Sequence, residues 1–149
     1  MKPTDPSKVV SRSRVIHAPA DVIFNLLADP RRHHEIDGSG SVQNAHINAP
    51  ERLSLGATFG MNMKIALPYK ITNTVVEFEE GRRIAWRHFG GHVWRYILEP
   101  VADGTKVTEE FDWTNNRSHL MLKVMRAIEN NARSMEKTLE NLAQRLEAK

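Results

Sequence analysis

One long apolar stripe near the C-terminal end constrains this chain more than any other feature. Met121, Met125, Ile128, Ala132, Met135, Leu139, Leu142 and Leu146 recur at steps of 4, 3, 4, 3, 4, 3 and 4. That spacing predicts a single helix over residues 118–146, about eight turns long. The preceding stretch reads as strands and turns. Candidate strands are Ser41–Ile47, Ala57–Ile65, Tyr69–Phe78, Arg83–Phe89, His92–Val101 and Thr105–Thr114. The breaks between them fall at Asn48-Ala49-Pro50, Ala66-Leu67-Pro68, Glu79-Glu80-Gly81, Gly90-Gly91 and Asp103-Gly104. A further strand, Lys8–His17, comes first. After it, Pro19 suits the first turn of a helix carrying Val22, Ile23, Leu26 and Leu27. Asp29-Pro30 closes that helix, and a second short helical piece runs from Pro30 to Glu35. Seven strands joined by short turns predict an α+β domain built on an antiparallel meander. Such a sheet needs a cover, and only the C-terminal helix is long enough to supply it. The same repeat also fits a short coiled coil; packing on the sheet is the reading adopted.

At 149 residues the chain has room for one ordinary domain, taken as residues 8–149 behind a loose arm of residues 1–7 with two prolines. It has no cysteine, which excludes disulfides, thiolate zinc sites and cysteine nucleophiles. No apolar run approaches a membrane span, and the opening residues lack the apolar stretch of a secretion signal. The expectation is a cytoplasmic protein without membrane insertion, a monomer or a homodimer. The net charge of +3 is local: Lys2, Lys8, Arg12 and Arg14 stand against Asp5 in the first fourteen residues. The remainder is neutral on balance, and Arg31-Arg32-His33-His34 reads as a solvated loop, so no nucleic-acid partner is expected.

Turn lengths decide which side chains face inward. A three-residue Phe89-Gly90-Gly91 loop pairs Trp86 with Trp94 and Ile84 with Tyr96. It gathers Ile84, Trp86, Trp94, Tyr96 and Leu98 on one face and Arg83, Arg87, Arg95 and Glu99 on the other. A two-residue loop would mix the two sets, so this register is preferred. A two-residue turn on Asp103-Gly104 then pairs Leu98 with Glu109, Tyr96 with Phe111 and Trp94 with Trp113. It also sets Arg95 opposite Asp112 as an exposed ion pair. Phe59, Met61 and Met63 alternate onto the inner face. That face carries His88, His92 and Glu109 among its aromatics, and a carboxyl on an apolar face needs a partner, a proton or a cavity.

Several segments resemble one known family. Ile16-His17-Ala18-Pro19-Ala20-Asp21-Val22-Ile23-Phe24 with Leu27-Ala28-Asp29-Pro30, then Arg82-Arg83-Ile84-Ala85-Trp86, Trp94-Arg95-Tyr96-Ile97-Leu98-Glu99-Pro100 and Asp103 to Phe111, resemble the polyketide cyclase/dehydrase group of the START-like (SRPBCC) superfamily. The resemblance runs from about Val9 to Leu146. It implies a helix-grip fold, in which a curved seven-stranded antiparallel sheet wraps the C-terminal helix and two short helices follow the first strand. It also implies a deep cavity for an apolar or aromatic ligand. It carries no universal catalytic residue, and fold likeness alone does not give function.

The residues exclude several chemistries. There is no helical His-x-x-x-His pair for a metal, and His88 and His92, which face each other across a hairpin, have no carboxylate near them in sequence; with no Gly-x-Ser-x-Gly elbow and no phosphate-cradling glycine loop, neither metal nor cofactor is expected. Two readings lead, beside a third in which a partner-binding protein docks its helix stripe and basic arm elsewhere. In the first, a binding module holds a small hydrophobic or aromatic, lipid- or polyketide-like ligand. Its candidate binding residues are Phe59, Met61, Met63, Trp86, His88, Trp94, Tyr96, Phe111, Trp113, Met121 and Met125. In the second, a cyclase, aromatase or dehydratase uses Glu109 with His88 or Tyr96 for acid–base work, burial raising the carboxyl pKa and lowering the imidazole.

Overall fold

The computed structural model describes residues 2–40, 42–45, 49–65, 67–88, 90–124 and 126–147. β1 (Val9–Ile16) leads into α1 (Ala20–Leu27), a 3-10 turn (Pro30–Arg32) and α2 (His33–Ile36). Six strands follow: β2 (Val42–Ala45), β3 (Thr58–Ile65), β4 (Leu67–Glu79), β5 (Arg83–His88), β6 (Val93–Val101) and β7 (Gly104–Asp112). The chain ends in α3 (His119–Val124) and α4 (Ala127–Leu146). All strands form one antiparallel sheet in the order β1-β7-β6-β5-β4-β3-β2. The curved sheet grips the C-terminal helix as the resemblance implied. Ala132, Met135, Leu139, Leu142 and Ala143 form the buried stripe of α4. Among the described residues no helix is long and apolar enough to cross a membrane.

The β5–β6 register is the one expected from a three-residue loop. Trp86 pairs with Trp94 and Ile84 with Tyr96, and the His88 amide donates to the His92 carbonyl at 3.0 Å. Phe89, the first loop residue, lies outside the described residues, as do Ser41 and Ile47 at the ends of the expected second strand.

Three expectations are corrected. The β6–β7 turn is Ala102-Asp103, and Gly104 already pairs with Val101. The pairs are therefore Leu98–Val107, Tyr96–Glu109 and Trp94–Phe111, two residues from those expected. An even slip preserves the faces, so Glu109 stays inside. Gly104 serves close packing rather than the turn: a Cβ there would stand 2.2 Å from the Ile16 carbonyl oxygen of β1.

Second, the C-terminal helix is broken. Arg126 adopts left-handed backbone (φ 54°) between α3 and α4. The break re-aims the first turns, so that Leu122 packs against the cluster of Phe111, Trp113 and Met135, while Met121 is 55% exposed.

Third, Arg95 lies on the outer face but is only 4% exposed. Its guanidinium donates to Glu77 at 2.7 Å, Glu110 at 2.9 Å and Asp112 at 3.3 Å. A bulge in β4 between Val75 and Glu77 helps bring the first carboxylate in. The Thr4 hydroxyl and the Asp5 amide fasten the N-terminal segment beside this cluster, through Asp112 and Thr114. Glu77 and Glu110 hold the guanidinium firmly protonated despite burial.

Removing the guanidinium leaves buried Asp112 without this cation, while Glu77 keeps Arg83. Arg95→Ala is therefore expected to cost about 3–5 kcal/mol. Urea unfolding checks this, and a loss within the ~1 kcal/mol of an exposed pair contradicts the buried cluster.

Candidate functional site

Between the inner face of the sheet and the helices lies a cavity of about 360 Å³. The sheet supplies it in cross-strand rows. One row carries Tyr96 and Glu109. The next carries Val75, Trp86, Trp94 and Phe111. A third carries Phe59, Asn73 and His88, with His92 at its end. Rows on one face are two residues apart, so the first and third stand about 13 Å from each other along the strands. The cavity thus has aromatic middle walls and a polar group at each end.

The inner wall comes from α2 and α4. Gly38, after α2, lets that loop meet the helix backbone. A Cβ there would stand 2.3 Å from the Ser134 carbonyl oxygen, and the Gly38 amide donates to Thr138 Oγ1 at 2.9 Å. This contact sets α2 against α4 and brings His33, Asp37, Ser134 and Thr138 to the cavity.

At the first polar end, the Tyr96 hydroxyl donates to Glu109 Oε2 at 3.0 Å. Glu109 is 4% exposed. Its Oε1 is the sole buried side-chain nitrogen or oxygen without a partner among the described residues. Burial, and secondarily the charge of Asp37, pushes the Glu109 carboxyl up to about 8, against the Tyr96 hydrogen bond. Burial and the neighbouring carboxyl push Tyr96 further above its ordinary range.

At the opposite end, the rings of His88 and His92 stack with centroids 4.7 Å apart. His88 Nδ1 accepts the Gly90 amide at 3.2 Å, and His92 Nδ1 donates to the Asn116 carboxamide oxygen at 3.1 Å. Burial and the neighbouring His92 lower His88 to about 4. Burial likewise lowers His92, against its bond to Asn116. His33 Nε2 donates to the Leu27 carbonyl at 2.8 Å, and its ring stacks on Trp86 at 4.9 Å. Burial keeps this imidazole neutral too.

Of the residues singled out in the sequence, Phe59, Met61, Met63, Trp86, His88, Trp94, Tyr96, Glu109 and Phe111 line this cavity. Trp113 does not: it packs with Phe111 and Met135 in a separate apolar cluster. Met121 points to solvent because of the α3–α4 break. Met125 lies outside the described residues. Sequence reasoning missed His33, Asp37 and Asn73. His33 and Ile36 share one side of α2, a spacing that marks His33 as inward where a solvated loop was expected. Asn73 alternates with Ile71 and Val75 along β4, the same signal at period two. Among the described residues no group of three histidines or carboxylates is placed to hold a metal.

Comparison with known proteins adds three findings. Residues 7–147 match the model of a family described as polyketide cyclase/dehydrase and lipid transport. The uncharacterised protein Rv0088 of Mycobacterium tuberculosis is 43% identical over 106 residues, covering 70% of this chain and 47% of that protein. The chain thus spans about half the length of that curated relative. Among solved structures, protein CV1439 of Chromobacterium violaceum superposes with a TM-score of 0.72 at 16% identity, covering 95% of this chain and 99% of that one. The polyketide-cyclase-like protein Cgl2372 of Corynebacterium glutamicum gives 0.62 at 21% identity, covering 91% and 89%.

The raised carboxyl has a consequence for stability. Glu109 binds its proton more tightly folded than unfolded, so its contribution is full below its ordinary value of 4.5 and is lost as pH rises to about 8. The three lowered histidines act oppositely, but only below their ordinary value of 6.5. Between about pH 6.5 and 8.5 the carboxyl therefore acts alone, and the protein is expected to lose on the order of 2 kcal/mol. Denaturant unfolding of Glu109→Gln should be flat across that window. A parent protein that is equally flat contradicts a neutral buried acid.

Proposed function

Because the chain belongs to the polyketide cyclase/dehydrase and lipid transport family over residues 7–147, we propose that it binds a small apolar or aromatic molecule in the cavity between sheet and helix. The observation that carries this reading is a chamber of about 360 Å³ walled by Trp86, Trp94, Phe59 and Phe111, within the range of small-molecule sites. Met61 and Met63 add thioether surface that adapts to irregular shapes. On the sheet side the ionisable groups stand at the two ends, and α2 and α4 add polar side chains such as His33, Asn131, Ser134 and Thr138 that can orient a ligand.

One observation favours a second reading. A carboxyl that titrates at about 8 beside a tyrosine is suited to donating and taking back a proton near neutral pH. That chemistry fits a cyclase or dehydratase acting on a carbonyl compound. In this reading Glu109 is the acid, and Tyr96 positions it. His88, at the far end of the cavity, is too distant along the strands to act on the same atom as Glu109.

The neutral fluorescent probe N-phenyl-1-naphthylamine tests the binding reading. Its emission should rise on addition of the protein, with quenching of Trp86 and Trp94 and a Kd of ~100 µM or tighter for a ligand of this size. No change in either signal, together with a native mass spectrum showing only the bare chain, contradicts it.

A further inference from the structure

The charges around the cavity are one-sided. No lysine or arginine lines it among the described residues; its charged or chargeable carboxyls are Asp37 and Glu109. Asp37 is engaged at the mouth, accepting from the Ser39 amide and hydroxyl and from the Val42 amide. The nearest cation in register is Arg12, opposite Glu109 on β1, and its guanidinium turns away to Glu136 of α4. A bound carboxylate would therefore meet negative charge and no counter-ion, in a setting where an unpaired buried charge is costly.

The hydrogen bond from Tyr96 adds a direction. Oε2 accepts the tyrosine proton, so Oε2 serves as the carbonyl oxygen of the acid and Oε1 carries the acid proton. That O–H has no acceptor in the protein, and leaving it unsatisfied is itself unfavourable. An uncharged oxygen acceptor on a ligand completes the chain Tyr96 to Glu109 to ligand; an alkene-type edge of the same shape leaves it incomplete.

We propose that the cavity acts as a charge filter in which Glu109 reads the acceptor. With Tyr96 its acid O–H favours uncharged ligands that bear a carbonyl-type acceptor, while the charge of Asp37 and the absence of a lining cation among the described residues turn away carboxylates of the same skeleton. The proposal rests on the binding reading above and assigns its ligand class. Glu109 here is a specificity-determining residue, whether or not chemistry follows. The groups facing it are Tyr96 on β6, Asp37 after α2, Arg12 on β1, His33 on α2, and His88 and His92 two rows away. α4 presents the neutral Asn131, Ser134, Met135 and Thr138 to the cavity.

Three probes of nearly one shape test this: the β-naphthyl isomers of acetylnaphthalene, isopropenylnaphthalene and naphthoate. Binding is followed by calorimetry. At about pH 6.5 the ketone should bind roughly tenfold more tightly than the alkene, the worth of one completed hydrogen bond. Naphthoate should bind at least about a hundredfold more weakly than the ketone, because it must first take up a proton. In Glu109→Leu the ketone and alkene should bind alike; in Glu109→Gln, whose amide still donates, the ketone preference should survive. At about pH 9 the preference should fade in the parent protein and persist in Glu109→Gln. Melting curves of both variants establish that they are folded. Equal binding of ketone and alkene by the parent protein, or tightest binding of naphthoate, overturns the charge filter and leaves the binding reading standing. Failure of all three probes to bind overturns both.

Discussion

The three-residue turn between β5 and β6 decides what the middle of this molecule contains. Shortening it by one residue would turn Trp94 and Tyr96 outward and bring Arg95 in, because side chains alternate along a strand. With the turn as it is, Trp86 meets Trp94, and both look toward α4. β7 pairs with β6 in the same sense and delivers Glu109 beside Tyr96. The outer face is consistent with this arrangement. Arg95 there gathers two carboxylates from β7 and one from the bulged strand β4, a cluster that would be ruinous on the apolar side.

That frame explains why a carboxyl is held neutral in the cavity wall. Glu109 has one hydrogen bond, from Tyr96, and no cation within its row that bonds it. Desolvation then outweighs the bond, and the acid keeps its proton near neutral pH. The histidines respond to the same environment in the opposite sense and lose theirs. The chamber therefore carries little charge despite having several ionisable groups in its walls. This is the setting in which an uncharged aromatic ligand competes best with water.

Much of this was legible in the residues. Alternation in β3, β5, β6 and β7 alone places nine of the cavity-lining side chains on one face. Glu109 survived an error in register because the β6–β7 slip was an even one. That error came from treating Asp103-Gly104 as a turn pair. The glycine answers instead to the close passage of Ile16, a contact between residues far apart in sequence. The α3–α4 break has the same origin. The apolar stripe runs on through Met121, but Leu122 finds the Trp113 cluster and the first turns rotate to let it. Arg95 read as exposed because a lone strand cannot reveal that Glu77, eighteen residues earlier, bends in beside it. His33 and Asp37 were overlooked because the docking of α2 on α4 depends on the Gly38 contact, which is tertiary.

The central claim is that a protonated carboxylic acid stands in the wall of an aromatic chamber. The most direct measurement is a carbon-13 titration of glutamate side-chain carboxyls, with Glu109→Gln used to assign the resonance. The account predicts one carboxyl that titrates at about 8 and shifts when an uncharged naphthyl ketone is added. A Glu109 resonance that titrates in the ordinary carboxylate range, with no response to the ketone, would contradict it.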